Sequence, residues 1–216
     1  TPDMSEYRRY YTNIVGKYGV QVKALLNKAQ SLRISMICPL HGLIWRKDID
    51  NLIQKYAKWS AYEPEIKGVL IAYSSVYGNT QSAAEIVANR LGEQGVKNIQ
   101  MYDVSVTHPS YVVAEAFRYS HIVFATTTYN GGIFVTMENL LLDLKAHNLQ
   151  NRTVALIENG TWAATAAGQM KNILSSMKGM NVIANPVTLK SSVKPEKRDE
   201  LIALADAICE TLKKRY

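Results

Sequence analysis

Cysteine is nearly missing from this chain: Cys38 and Cys209 are the only two in 216 residues. Two thiols so far apart form no Cys-x-x-Cys redox or zinc motif and no disulfide scaffold, and they fit a reducing, cytoplasmic setting. No apolar run approaches the roughly 18–20 residues of a membrane helix, so no membrane partner is expected. The amino end, Thr1-Pro2-Asp3-Met4, is too polar for a secretory signal. It also lacks an initiator methionine, which reads as a chain cut from something longer. Internal repeats and low-complexity stretches are missing too.

Hydrophobic residues make up 47% of the chain and charged residues 20%, enough apolar material to exclude disorder. The net charge is +7, which raises the question of nucleic acid. Its distribution argues against that partner: residues 1–67 carry +5, residues 68–189 are neutral, and residues 190–216 carry +2. A nucleic-acid domain concentrates charge on its reading surface, whereas the most regular part of this chain has none. Lys213-Lys214-Arg215 is a solvated helix end that suits the helix dipole.

The pattern changes near Glu63-Pro64-Glu65. Upstream, apolar spacing predicts a helix from Glu6 to Gln30, with Gly16 and Gly19 weakening its middle, then a strand Ile34–Cys38 and a helix Asp48–Ser60. One strand and two helices cannot make a parallel-sheet core. Residues 1–66 therefore read as the closing edge of another domain plus a linker, and residues 67–216 as a domain of their own. In the second part, apolar strands at 69–73, 99–102, 121–125, 153–157 and 182–184 (extendable to 189) alternate with helices at 80–95, 109–119, 137–147, 163–178 and 195–214. Five strands alternating with five helices predict a doubly wound α/β fold with a parallel sheet in the order 2-1-3-4-5. Its ligand is then expected at the carboxyl ends of strands one and three.

Three loops at that edge carry the chemistry. The first, Ser74-Ser75-Val76-Tyr77-Gly78-Asn79-Thr80, runs straight into a helix. Hydroxyls, an amide and a glycine at a helix amino terminus suit a phosphate; on this loop alone an ordinary N-cap reads equally well. No lysine follows Gly78, which excludes a Walker A loop, and no G-x-G-x-x-G is present. The second loop, Thr126-Thr127-Thr128-Tyr129-Asn130-Gly131-Gly132, offers extended backbone and a ring for stacking, unless Tyr129 packs on its own domain. The third, Glu158-Asn159-Gly160-Thr161-Trp162, ends on a tryptophan that either faces a planar ligand or is wedged between helices. Together the loops describe a flat heterocycle with a phosphate tail, for which FMN is the obvious candidate.

The first loop resembles the phosphate loop of flavodoxins. Tyr77-Gly78-Asn79-Thr80 with Thr128-Tyr129-Asn130-Gly131-Gly132 more specifically resembles the flavodoxin-like domain of flavodiiron proteins. Upstream, Ile37-Cys38-Pro39-Leu40-His41-Gly42, Ile44-Trp45-Arg46 and Tyr56-Ala57-Lys58-Trp59-Ser60 resemble the end of that family's metallo-β-lactamase-like domain. The resemblance implies an FMN-binding electron-transfer domain of an oxidoreductase that reduces dioxygen to water or nitric oxide to nitrous oxide. FMN would pass electrons to a diiron centre, a rubredoxin-like or other acidic protein would be the donor, and the whole would be a homodimer or homotetramer. FMN would be held by Ser75, Tyr77, Gly78, Asn79, Thr80, Thr126, Thr127, Thr128, Tyr129, Asn130, Gly131, Asn159, Gly160, Thr161 and Trp162. His41 matches the last iron-ligating histidine by position, but the His-x-Glu-x-Asp-His motif is not in this chain. Thr127 stands where relatives often have proline, and Asn159-Gly160-Thr161 replaces a serine- and glycine-rich stretch. His108, His121 and His147 have no ligand spacing. Two alternatives use the same fold: an NAD(P)H:quinone or FMN reductase, and a non-enzymatic receiver-like module.

Overall fold

The computed structural model describes residues 4–214. Strand β1 (Ile66–Tyr73) is followed by α4 (Asn79–Glu93), β2 (Ile99–Asp103), α5 (Pro109–Arg118), β3 (Tyr119–Tyr129), β4 (Gly132–Ile133), α6 (Val135–Ala146), β5 (Thr153–Asn159), α7 (Ala166–Ser175), β6 (Asn181–Val182), β7 (Val187–Leu189) and α8 (Pro195–Lys214). The parallel order is β2-β1-β3-β5-β6, with β7 also on β5. This is the expected 2-1-3-4-5 winding, with two differences.

The fifth strand is split. Asn181 and Val182 pair with Thr153 and Val154, and Val187–Leu189 pair with Ile157–Asn159. Between them Ala184 has φ +58, and Pro186 has no N–H to offer a ladder. The second difference is an added hairpin. Tyr129 pairs antiparallel with Gly132 and Thr128 with Ile133, leaving Asn130 (φ +50) and Gly131 (φ +73) as a two-residue turn. Positive φ at both positions is the turn that matches strand twist, and Asn-Gly is its favoured sequence.

Alternation along the central strands divides two cores. Leu70, Ala72, Ile122, Phe124, Val154 and Leu156 meet α5, α6 and α7 through residues such as Val113, Phe117, Leu141 and Met170. Val69, Ile71, Val123, Ala125, Ala155 and Ile157 face the other way, onto Ala84, Val87 and Leu91 of α4 and Leu201, Leu204 and Ile208 of α8. Burial on both faces explains why these strands read as unbroken apolar runs.

Residues 4–65 pack against the α5 side of this domain. The long amino-terminal helix is broken into α1 (Met4–Tyr10), a π-type turn Tyr11–Val15, a 3₁₀ turn Gly16–Tyr18 and α2 (Gly19–Ala29). At Gly19 a Cβ would lie 2.4 Å from the Ser60 carbonyl oxygen, so glycine lets the start of α2 close onto the end of α3 (Ile49–Ser60). The strand expected at Ile34–Cys38 does not form. One antiparallel bridge, Ile37 to Trp45, remains, because no neighbouring strand among the described residues extends the ladder. Arg8 pairs with Glu65 and Glu115, and Glu65 also accepts from Lys55 Nζ at 2.9 Å and Trp59 Nε1 at 2.7 Å. Burial pushes the Glu65 pKa up, but the Arg8, Lys55 and Trp59 bonds outweigh it and hold the carboxyl below its ordinary value. No helix among the described residues is long and apolar enough to cross a membrane.

Candidate ligand site at the carboxyl edge of the sheet

A cavity of about 530 Å³ opens at the carboxyl ends of β1, β3 and β5. The reversal of winding between β1 and β3 puts it there. It is within the size range of sites that hold a small cofactor. Of the fifteen expected contacts, thirteen line it; Gly78 and Thr126 do not.

The phosphate end is built by β1 running into α4. Gly78, at φ +88, turns the chain and begins the helix, and no side chain caps it. The Gly78 N–H donates to Ser75 Oγ at 3.0 Å. The first amides of α4 have no partner within the helix, and the dipole adds positive potential where they point. The cap reading of this loop therefore fails on geometry: the hydroxyl serves the turn and leaves the helix end open. Thr80 is buried, its Oγ1 3.1 Å from Thr127 Oγ1.

Thr126 is a correction to the expected set. It is fully buried, and its Oγ1 lies 2.7 Å from Ser74 Oγ beneath the cavity floor. Strand alternation sends Thr126 inward and Thr127 toward the cavity. Thr128 lines the cavity, but its Oγ1 accepts from the Thr165 and Ala166 amides at 3.0 and 3.2 Å, so it anchors the start of α7.

Two aromatic walls stand in solvent. Trp162 is 98% exposed and Tyr77 90% exposed, which rules out a tryptophan wedged between helices. Tyr129 is half-exposed and braced edge-on by Phe134, with ring centroids 5.5 Å apart. The Trp162 loop folds tightly: a Cβ at Gly160 would meet the Ala164 Cα at 2.8 Å.

The cavity lining contains no charged residue. Glu158, the one carboxylate in the three loops, is buried and turned away; it accepts from the Ala167 amide and Thr188 Oγ1, both at 2.8 Å. Val76, Ala163 and Ser191 line the cavity without having been expected. The Ser191-Ser192 pair, one residue beyond the end of the last strand, is the sequence signal for a fourth loop.

The other candidate groups do not assemble. His41 is exposed and lies against Tyr10, with ring centroids 5.4 Å apart. His108 accepts from the Ser110 amide at the start of α5, His121 bonds Ser120 and Thr211, and His147 contacts the Asp143 carbonyl. Among the described residues no group of three His, Cys, Asp or Glu could hold a metal ion. His41 alone does not fit a diiron centre, whose ligand set needs several histidines and carboxylates.

A doubly wound sheet with a neutral, hydroxyl- and amide-lined pocket at its switch point defines a flavodoxin-like domain. The flavodoxin family signature matches residues 71–212, and the chain belongs to that family. The chain is 28% identical over 185 residues to a nitric oxide reductase of Moorella thermoacetica, covering 85% of this chain and 46% of that protein. Its fold superposes with a TM-score of 0.87 and 25% identity on the rubredoxin oxygen:oxidoreductase of Desulfovibrio gigas, covering 95% of this chain and 52% of that one. It also matches the flavodiiron protein of Giardia intestinalis, with a TM-score of 0.84, 21% identity and coverage of 97% and 53%. The chain thus spans about half the length of these relatives and corresponds to their carboxyl-terminal part.

Proposed function

We propose that this chain is the FMN-binding electron-transfer part of a flavodiiron-type oxidoreductase, with residues 67–216 as the flavin domain and residues 1–66 as the end of a metallo-β-lactamase-like domain. The observation that carries the reading is the uncapped amino terminus of α4 opening into the same cavity as the exposed rings of Tyr77, Tyr129 and Trp162. Bound FMN would supply the electron chemistry, and this chain's residues would bind and orient it.

In this reading Ser75, Asn79 and the first amides of α4 hold the phosphate. Thr80 shapes the cradle from below through Thr127. Thr128–Gly131 and Trp162, which line the rest of the cavity, would hold the ring. A neutral lining gives the ligand orientation without charge. The receiver-like alternative needs an acidic pocket, and no carboxylate lines this one. Hydride transfer from NAD(P)H to the flavin-loaded chain would instead favour the reductase alternative.

The likeness to proteins named for nitric oxide and for rubredoxin and oxygen supports dioxygen or nitric oxide as the parent's substrate and a rubredoxin-like donor. The diiron centre belongs only to a parent carrying ligands beyond His41. Absorbance titration with FMN tests the core of the proposal: one flavin per chain is expected, and no saturable binding contradicts it.

A further inference from the structure

The loop after β7 reaches the cavity through Ser191. This residue is exposed, yet its backbone is held in the left-handed region at φ +70, which costs energy for any residue but glycine. Asn159, 5% exposed at the end of β5, holds it there. The Ser191 N–H donates to Asn159 Oδ1 at 2.9 Å, and Asn159 Nδ2 donates to the Ser191 carbonyl at 2.8 Å. A buried amide is thus committed through both its donor and its acceptor to one exposed serine. Such satisfied buried groups fix a conformation firmly.

The serine side chain completes the arrangement. Ser191 Oγ accepts from Asn79 Nδ2 at 3.4 Å, a long bond that links the first residue of α4 to this loop. Because the oxygen is accepting, its own proton remains to be donated. The bridge joins two cavity-lining residues at the amino end of α4, the end that the reading above gives to the phosphate, where a ligand continuing past its phosphate would meet it.

We infer that Ser191 is a fourth-loop contact selecting a terminal phosphate monoester over a bridged diphosphate, and that Asn159 is the residue positioning it. The inference rests on the flavin reading above. It reassigns Asn159 from direct ligand contact to support of its neighbour.

Equilibrium binding of FMN, riboflavin and FAD to the full chain tests it. Ser191→Gly removes the hydroxyl but suits φ +70, so the thermal midpoint should hold or rise. FMN binding should weaken about three- to tenfold, the range of one hydrogen bond. Riboflavin binding should stay unchanged, and the preference for FMN over FAD should narrow. Asn159→Ala should weaken FMN at least as much, and adding Ser191→Gly to it should cost less than in the unaltered chain. Ser191→Gly carries the test by itself if the Asn159 variant folds poorly. Unchanged FMN affinity in Ser191→Gly, or equal losses for FMN and riboflavin, would overturn the inference. An unaltered chain that binds neither FMN nor riboflavin overturns the flavin reading instead.

Discussion

Thr80 Oγ1 lies 3.1 Å from Thr127 Oγ1, tying the start of α4 to the end of β3 across the floor of the cavity. The two expected halves of the site, one for a phosphate and one for a ring, are therefore joined by a direct bond. Thr80→Val keeps the shape and removes the hydroxyl. It should lower stability by about 1 kcal/mol and weaken FMN more than riboflavin. Equal weakening of the two ligands would deny the phosphate role.

Trp162 is set to report on the ligand, since its ring is almost wholly in solvent. Flavin stacked on it should quench its fluorescence on binding. Trp162→Ala should cost about 0.5–1.5 kcal/mol of affinity beyond lost contact area, for FMN and riboflavin alike. Unaltered affinity would place the ring plane elsewhere.

The ion cluster around Glu65 predicts acid sensitivity. Its carboxyl is held below the ordinary value near 4.3. Its stabilising contribution is thus fully present above that value and is lost as pH falls through the lowered folded pKa. Glu65→Gln should flatten this part of the acid unfolding curve. Arg8→Ala leaves Glu65 to Lys55 and Trp59 and Glu115 to Arg118, and the loss of its charged hydrogen bonds should destabilise by about 1.5–3 kcal/mol. Chemical denaturation across pH 3–7 measures both.

Charge in the cavity predicts redox behaviour. With no carboxylate in the lining, negative charge gained on reduction meets no fixed anion. Asn130→Asp adds one at a left-handed position that aspartate tolerates. It should disfavour the second electron by about 1–4 kcal/mol for a charge a few ångströms away, between bulk-water and surface-like dielectric, and less at high salt. Spectroelectrochemical titration would show this, and identical potentials would show that the lining charge does not tune the flavin.

The sequence carried the sheet and its switch point because strands buried on both faces leave unbroken apolar runs, as in Val69–Ala72 and Val154–Ile157. What it hid depended on contacts distant in the chain. Gly16 and Gly19 flagged a weak helix middle, but not the closure of α2 onto Ser60. Ile34–Cys38 has strand character without a neighbouring strand to extend its one bridge. Three successive threonines look alike in sequence, yet alternation makes Thr126 structural and turns Thr127 to the cavity. The Asn130-Gly131 pair is a turn signal in sequence, but the hairpin needs Thr128 and Tyr129 to pair back onto Ile133 and Gly132. Ser191 depended on a partner, Asn159, that lies 32 residues away.

Backbone amide chemical-shift mapping with FMN and with riboflavin separates the phosphate end of the cavity from its ring end. Amides of Ser75–Gln81 should move with FMN alone, while those of Thr128–Gly131 and Thr161–Ala163 should move with both. Shifts confined to another surface, or identical shifts of the α4 amides with both ligands, would contradict this assignment of the cavity.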